Sequence, residues 1–154
     1  MSASLARISL ILGGARSGKS AYAQKLICAA PSPWIYCATA QALDDEMRDR
    51  IAHHRGRRAQ GWITRETPLH LADAIAAATH PMLVDCLTLW LTNVMLARRE
   101  AAAESAKLLA AAEAAKAPVV FVSNEVGLGI VPDNKLAREF RDKAGRLNQD
   151  VAKI

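Results

Sequence analysis

RISLILGGARSGKS, residues 7–20, decides the fold of this chain. RISLIL (7–12) is a short, continuous, β-rich apolar run that stops at two glycines. Such a run reads as a strand buried on both faces, as in a parallel sheet. GGARSGKS (13–20) satisfies G-x-x-x-x-G-K-[ST] and sits after that strand and before a helix, where its mechanism requires it. Gly13 and Gly18 permit backbone conformations that a Cβ would obstruct. The amides of Gly13, Gly14, Ala15, Arg16, Ser17 and Gly18 then turn inward and, with the helix N-terminus, bind phosphate oxygens. Lys19 is placed to reach the β- and γ-phosphates, and the Ser20 hydroxyl to coordinate Mg²⁺. The stretch therefore predicts a P-loop and a nucleotide.

Working outward, three more runs share the character of the first: PWIYCAT (33–39), PMLVDCL (81–87) and PVVFVSN (118–124). Each begins with proline, which a strand tolerates at its first residue. Helical stretches lie between and after them, over 19–30, 44–55, 69–78, 87–116 with a break, and 133–152. The last follows Pro132 and carries Leu136, Phe140, Ala144 and Leu147 at helical spacing. The alanine-rich 101–117 segment reads as a strong helix former. Alternation of this kind predicts one α/β domain over 1–154, of the P-loop NTPase type, with a mainly parallel sheet flanked by helices on both faces. A P-loop also needs an acidic partner for its metal at the end of another buried strand. Asp85, closing MLVD, fills that place.

Composition narrows the ligand class. A net charge of +5 favours anionic ligands. Aromatic residues make up only 5%, which disfavours a base-stacking platform for single strands. No apolar run approaches the ~20 residues of a membrane span. The first apolar stretch ends in a glycine turn followed by basic residues, the reverse of a signal peptide. Cys28, Cys37 and Cys86 are odd in number and lack CxxC spacing, which argues against a disulfide framework or a zinc site. All three sit beside apolar residues and read as buried thiols in a reducing cytoplasm.

RDRIAHHRGRR (48–58) sets two adjacent histidines among five arginines. A cationic neighbourhood makes another positive charge costly, so it favours neutral imidazole, whose ring nitrogen can attack phosphorus. The plainer reading is a solvated, mixed-charge helix face. Residue types alone leave both open.

Five blocks occur in order: GGARSGKS, YCATAQALDDEMRDRIAHHRGRR, GWITRETP, LVDCLTLWLTN and SNEVGLGIVPDNKLAREFRDKAGRLNQ. Together they closely resemble the bifunctional adenosylcobinamide kinase/adenosylcobinamide-phosphate guanylyltransferase family of cobalamin biosynthesis. The resemblance implies two reactions. The hydroxyl of the aminopropanol arm of adenosylcobinamide takes the γ-phosphoryl group of ATP or GTP. GTP then donates GMP to the new phosphate through a histidine–GMP phosphoramidate, releasing pyrophosphate. The nucleophile maps onto His53, with His54 the alternative. The resemblance further implies nucleotide contacts from His54, Arg55, Gly56 and Arg57, from Glu66, and from Ala40, Gln41 and Ala42 on the guanine side. It implies Mg²⁺, a corrinoid as substrate rather than cofactor, and a homotrimer. Asp49, one turn before His53, is expected to orient the ring. Glu125 stands where open α/β sheets place ligands, or caps its turn. Members of the family continue beyond GRLNQ into a further apolar strand, so residues 1–154 are expected to lack it and leave a sheet edge open.

Two other readings remain at this level. A P-loop kinase acting on some other small alcohol or nucleotide needs the same loop but assigns His53 no role. A nucleic-acid module would use the basic 48–58 run, yet no helix-turn-helix, zinc finger or aromatic sheet signature accompanies it.

Overall fold

The computed structural model describes residues 4–41, 44–56, 58 and 60–154, apart from the side chains of Arg50 and His54. Its strands are β1 (Ile8–Gly13), β2 (Trp34–Ala38), β3 (Trp62–Glu66), β4 (Met82–Asp85) and β5 (Val119–Asn124). Its helices are α1 (Lys19–Ile27), α2 (Asp45–Gly56), α3 (Leu71–Ala76), α4 (Leu87–Leu96), α5 (Ala101–Glu113) and α6 (Lys135–Val151). All strand pairs are parallel, in the order β1-β5-β4-β2-β3. The α/β sheet expected from the alternation is present. Each proline that opens an apolar run lies just outside the strand, because Pro33, Pro81 and Pro118 have no N–H for the ladder. Ile35 and Met82 instead donate to the carbonyls of Pro81 and Pro118.

β3 corrects the sequence reading, which left 62–66 without a strand. Its five residues form an edge, paired on one side to β2 and half exposed. An edge strand buries little, so its sequence carries charged residues and lacks a continuous apolar run. The long 87–116 stretch breaks where expected, between α4 and α5, and Glu100 caps α5 by accepting from the amides of Ala102 and Ala103. The predicted helix over 19–30 stops at Ile27, and that over 69–78 shortens to Leu71–Ala76.

Alternate residues of the central strands feed two cores. Ile35, Cys37, Met82, Val84, Val119 and Phe121 face the α3–α6 side, with Leu71, Trp90, Leu108 and Leu147. Tyr36, Leu83, Val120 and Val122 face the other side, where Ala23 and Ile27 of α1 cover them. Strand parity thus assigns Asp85, two residues beyond Leu83, to the face that α1 occupies. Cys37 and Cys86 are buried as expected, whereas Cys28, just past the end of α1, is exposed. No helix among the described residues is long and apolar enough to cross a membrane.

Candidate active site

The parallel register brings the carboxyl ends of the strands into one row. Gly13 pairs with Asn124, and Ala38 with both Asp85 and Glu66. Open α/β sheets bind ligands outside such a row. A cavity of about 270 Å³ lies there, walled by Ser20, Ala38, Asp85, Leu89 and Asn124 below and by Met47, Ile51 and Arg55 of α2 opposite.

The loop between β1 and α1 has the local geometry its glycines predict. Gly18 (φ 88°) and Arg16 (φ 53°) both take the left-handed region, from which anion-binding nests of amides are built. Gly18 is the residue before α1, so the first amides of that helix open toward the loop. A Cβ on Gly13 would come within 2.9 Å of Ser17 Oγ and 3.4 Å of the Lys19 stem. Lys19 is buried, and its Nζ bends back to donate to the Gly14 carbonyl and, at 3.4 Å, to Ser17 Oγ. A lysine charge beside two left-handed loop residues and a helix N-terminus is an arrangement that suits an anion.

Asp85 meets the cavity from β4. Its Oδ2 accepts from the Tyr36 hydroxyl at 2.7 Å. Burial first, then the Asp85 charge, pushes the Tyr36 phenol far above its ordinary range, so it is a donor at any working pH. The Arg58 guanidinium lies 3.9 Å from the centroid of the Tyr36 ring and donates to Thr64 Oγ1 at 3.0 Å. Burial lowers its pKa, yet an arginine stays charged. Beneath the row, Asn93 Nδ2 donates to the carbonyls of Thr39 (2.8 Å) and Pro68 (3.0 Å), fixing the segments that leave β2 and β3.

The donor set fits Mg²⁺. Ser20 and Asp85 supply one hydroxyl and one carboxylate to the same cavity. The carboxylate already accepts on one oxygen and keeps lone pairs on the other. Among the described residues no group of three His, Cys, Asp or Glu could hold a metal by itself. Mg²⁺ needs no such cage, since it binds through one or two protein oxygens with phosphates and waters.

A second cavity, of about 610 Å³, borders α2 on the Ala40–Gln41 side and includes Arg48, Arg55, Glu66 and Pro68. Arg55 pairs with Glu66 across it and also reaches the first cavity. Of the predicted nucleotide residues, then, Ser20, Ala40, Arg55 and Asp85 meet in one cavity, and Ala40, Gln41, Arg55 and Glu66 in the other. Gly56 ends α2 and is exposed. His53 is exposed on α2 and lines neither cavity. Ala42, Arg57 and the His54 side chain lie outside the described residues. Glu125 caps its own turn, accepting from the Gly127 amide, while its N–H donates to the Gly13 carbonyl at 2.9 Å.

Sequence reasoning missed Tyr36, Arg58 and Asn124. Tyr36 reads as a core residue inside a strand, and Arg58 only as one of the five arginines around the histidine pair. Asn124 had a usable signal, a polar residue closing an apolar run.

Comparison with known proteins follows the same lines. The chain is 45% identical to the bifunctional adenosylcobalamin biosynthesis protein CobU of Salmonella typhimurium, over 93% of this chain and 88% of that protein. Identity to the Escherichia coli protein of the same name is also 45%, with the same coverage. The bifunctional adenosylcobalamin biosynthesis protein CobP of Pseudomonas aeruginosa is 47% identical, over 93% of this chain and 86% of its own. A profile of the family described as cobinamide kinase / cobinamide phosphate guanyltransferase matches residues 9–154. The chain belongs to the cobinamide kinase / cobinamide phosphate guanyltransferase family.

Proposed function

We propose that this chain phosphorylates adenosylcobinamide and then transfers GMP from GTP to adenosylcobinamide phosphate, yielding adenosyl-GDP-cobinamide. Membership of the family supports both activities. One structural observation carries the first: Ser20, at the start of α1, and Asp85, at the end of β4, share a cavity beside the loop that Lys19 covers. In the kinase step the acceptor hydroxyl oxygen attacks the γ-phosphorus, the bond to the bridging oxygen breaks, and nucleoside diphosphate leaves as the hydroxyl proton is lost. Lys19 and the loop amides neutralise charge on the phosphate oxygens, and Ser20 and Asp85 would hold Mg²⁺. When bound, the cation would supply charge neutralisation for the phosphoryl transfer. The fold is, on this reading, a P-loop NTPase domain.

In the second reaction a ring nitrogen of His53 attacks the α-phosphorus of GTP and pyrophosphate leaves. The phosphate oxygen of the acceptor then attacks the same phosphorus, and the P–N bond breaks. Arg55 and Glu66 contribute to guanosine binding with Ala40 and Gln41, and Ala42, His54, Gly56 and Arg57 belong to the same contact set. A homotrimer and a cytoplasmic location complete the reading, the latter supported by three unpaired thiols.

The exposed position of His53 favours one rival, a P-loop kinase without guanylyl transfer. GTP labelled at the α-phosphorus separates the two. Protein-bound, acid-labile label that is lost in His53→Ala, with kinase turnover kept, is the expected result. A wild-type protein that stays unlabelled while phosphorylating the corrinoid leaves only the kinase.

A further inference from the structure

We propose that Tyr36 is a positioning residue for Asp85, holding its carboxylate in the attitude that receives the nucleotide's divalent cation, with Arg58 clamping the phenol ring. The proposal rests on the kinase reading and adds to it two residues outside the P-loop pattern. Tyr36 and Asp85 sit on neighbouring strands and on the same face, because Tyr36 pairs with Leu83, two residues before Asp85. The phenol is 6% exposed and its hydroxyl spans to Asp85 Oδ2 at 2.7 Å. Its ring meets Trp62 in a T-shaped arrangement (centroids 6.1 Å apart) and the Arg58 guanidinium at 3.9 Å. Arg58 in turn is tied to β3 through Thr64.

A carboxylate at a strand end swings about two torsions, so it binds a cation well only if something fixes it. One charge-assisted hydrogen bond from a donor that cannot itself move does so and leaves the second oxygen for the metal or a metal-bound water. Outer partners of this kind typically govern metal affinity by about 10- to 100-fold. A tyrosine serving only to fill the core would not need its hydroxyl aimed at the one acid in the cavity.

The test is a titration of the whole chain with Mn²⁺, followed by electron paramagnetic resonance, in the presence of the non-hydrolysable β,γ-imido analogue of GTP. Tyr36→Phe keeps the ring, its packing and the cation above it. It should weaken Mn²⁺ binding by about tenfold or more. Analogue binding in EDTA should change by less than about twofold. Asp85→Asn and the double variant should then be indistinguishable, because the hydroxyl acts through that carboxylate. Arg58→Gln, on the rim, provides a variant independent of core packing and should show the same split, at several-fold size. Mn²⁺ binding unchanged in either single variant overturns the proposal, as does equal weakening with and without metal, or effects of Tyr36→Phe and Asp85→Asn that multiply. Failure of the wild type to bind Mn²⁺ with the analogue would overturn the kinase reading itself, a different result from a wild type that binds and a Tyr36→Phe that matches it.

Discussion

Thr39 and Cys86 are joined twice through one hydroxyl: Thr39 Oγ1 donates to the Cys86 carbonyl at 2.7 Å and accepts from the Cys86 amide at 2.8 Å. Thr39 is fully buried, so this clasp sets the exit of β2 against the exit of β4, next to Asp85. Thr39→Val keeps the shape and strands the buried Cys86 amide, while the Cys86 carbonyl keeps the Trp90 amide as donor. It should cost about 1–3 kcal/mol in urea unfolding, and Thr39→Ser should recover most of the loss.

Lys19→Ala removes the lysine that folds back over the glycine-rich loop between β1 and α1. Phosphorylation of the corrinoid should fall by about 10²–10³ in kcat. The melting temperature should hold, because the lysine's partners, Gly14 and Ser17, lie on an exposed loop. Steady-state kinetics beside a thermal melt reads both.

His54→Ala asks which imidazole carries GMP. With His53 as nucleophile, the α-labelled GTP experiment should leave protein-bound label in His54→Ala and none in His53→Ala. Reversed labelling would assign the chemistry to His54.

Thiol chemistry should resolve into one fast site and two slow ones. Cys28 is exposed, whereas Cys37 and Cys86 are buried. At pH 8 a thiol reagent should titrate one cysteine quickly in the folded chain and all three after unfolding. Burial pushes the Cys37 thiol up from 9.0 to about 11 and raises Cys86 as well. A raised pKa in the folded state means full stabilisation below pH 9 and loss as pH climbs through 11. Cys37 alone should account for at most about 3 kcal/mol of that loss. The alkaline slope of stability should flatten in Cys37→Ala.

On the acid side, the Ala103 and Ala102 amides at the start of α5 hold the Glu100 carboxyl below its ordinary 4.5. Its contribution is present above that value and disappears as pH falls through the lower one. Glu100→Ala should lower the melting temperature near neutrality and converge with the wild type in strong acid.

Much of this was legible from the chain because the buried strands advertise themselves. β2, β4 and β5 are apolar on both faces, and the glycine–lysine loop has a mechanism that dictates its neighbours. β3 was hidden because Trp62–Glu66 runs along an edge and mixes apolar with charged residues. Tyr36 was hidden for another reason. Its hydroxyl partner lies 49 residues away, and nothing in either local segment points to the other. Cys28 misled because an apolar neighbourhood in sequence is not one in space. The cavity face of α2 was equally unreadable, since Met47, Ile51 and Arg55 share it only once the helix is laid against the strands.

The odd–even rule of a pleated strand has one last consequence. Leu83 and Asp85 lie toward α1, and Met82 and Val84 toward the opposite core. Losing any one residue from 82–84 would turn the acid through half a revolution and bury it among leucines and a tryptophan. Small insertions and deletions in β4 are thus closed as a route of change.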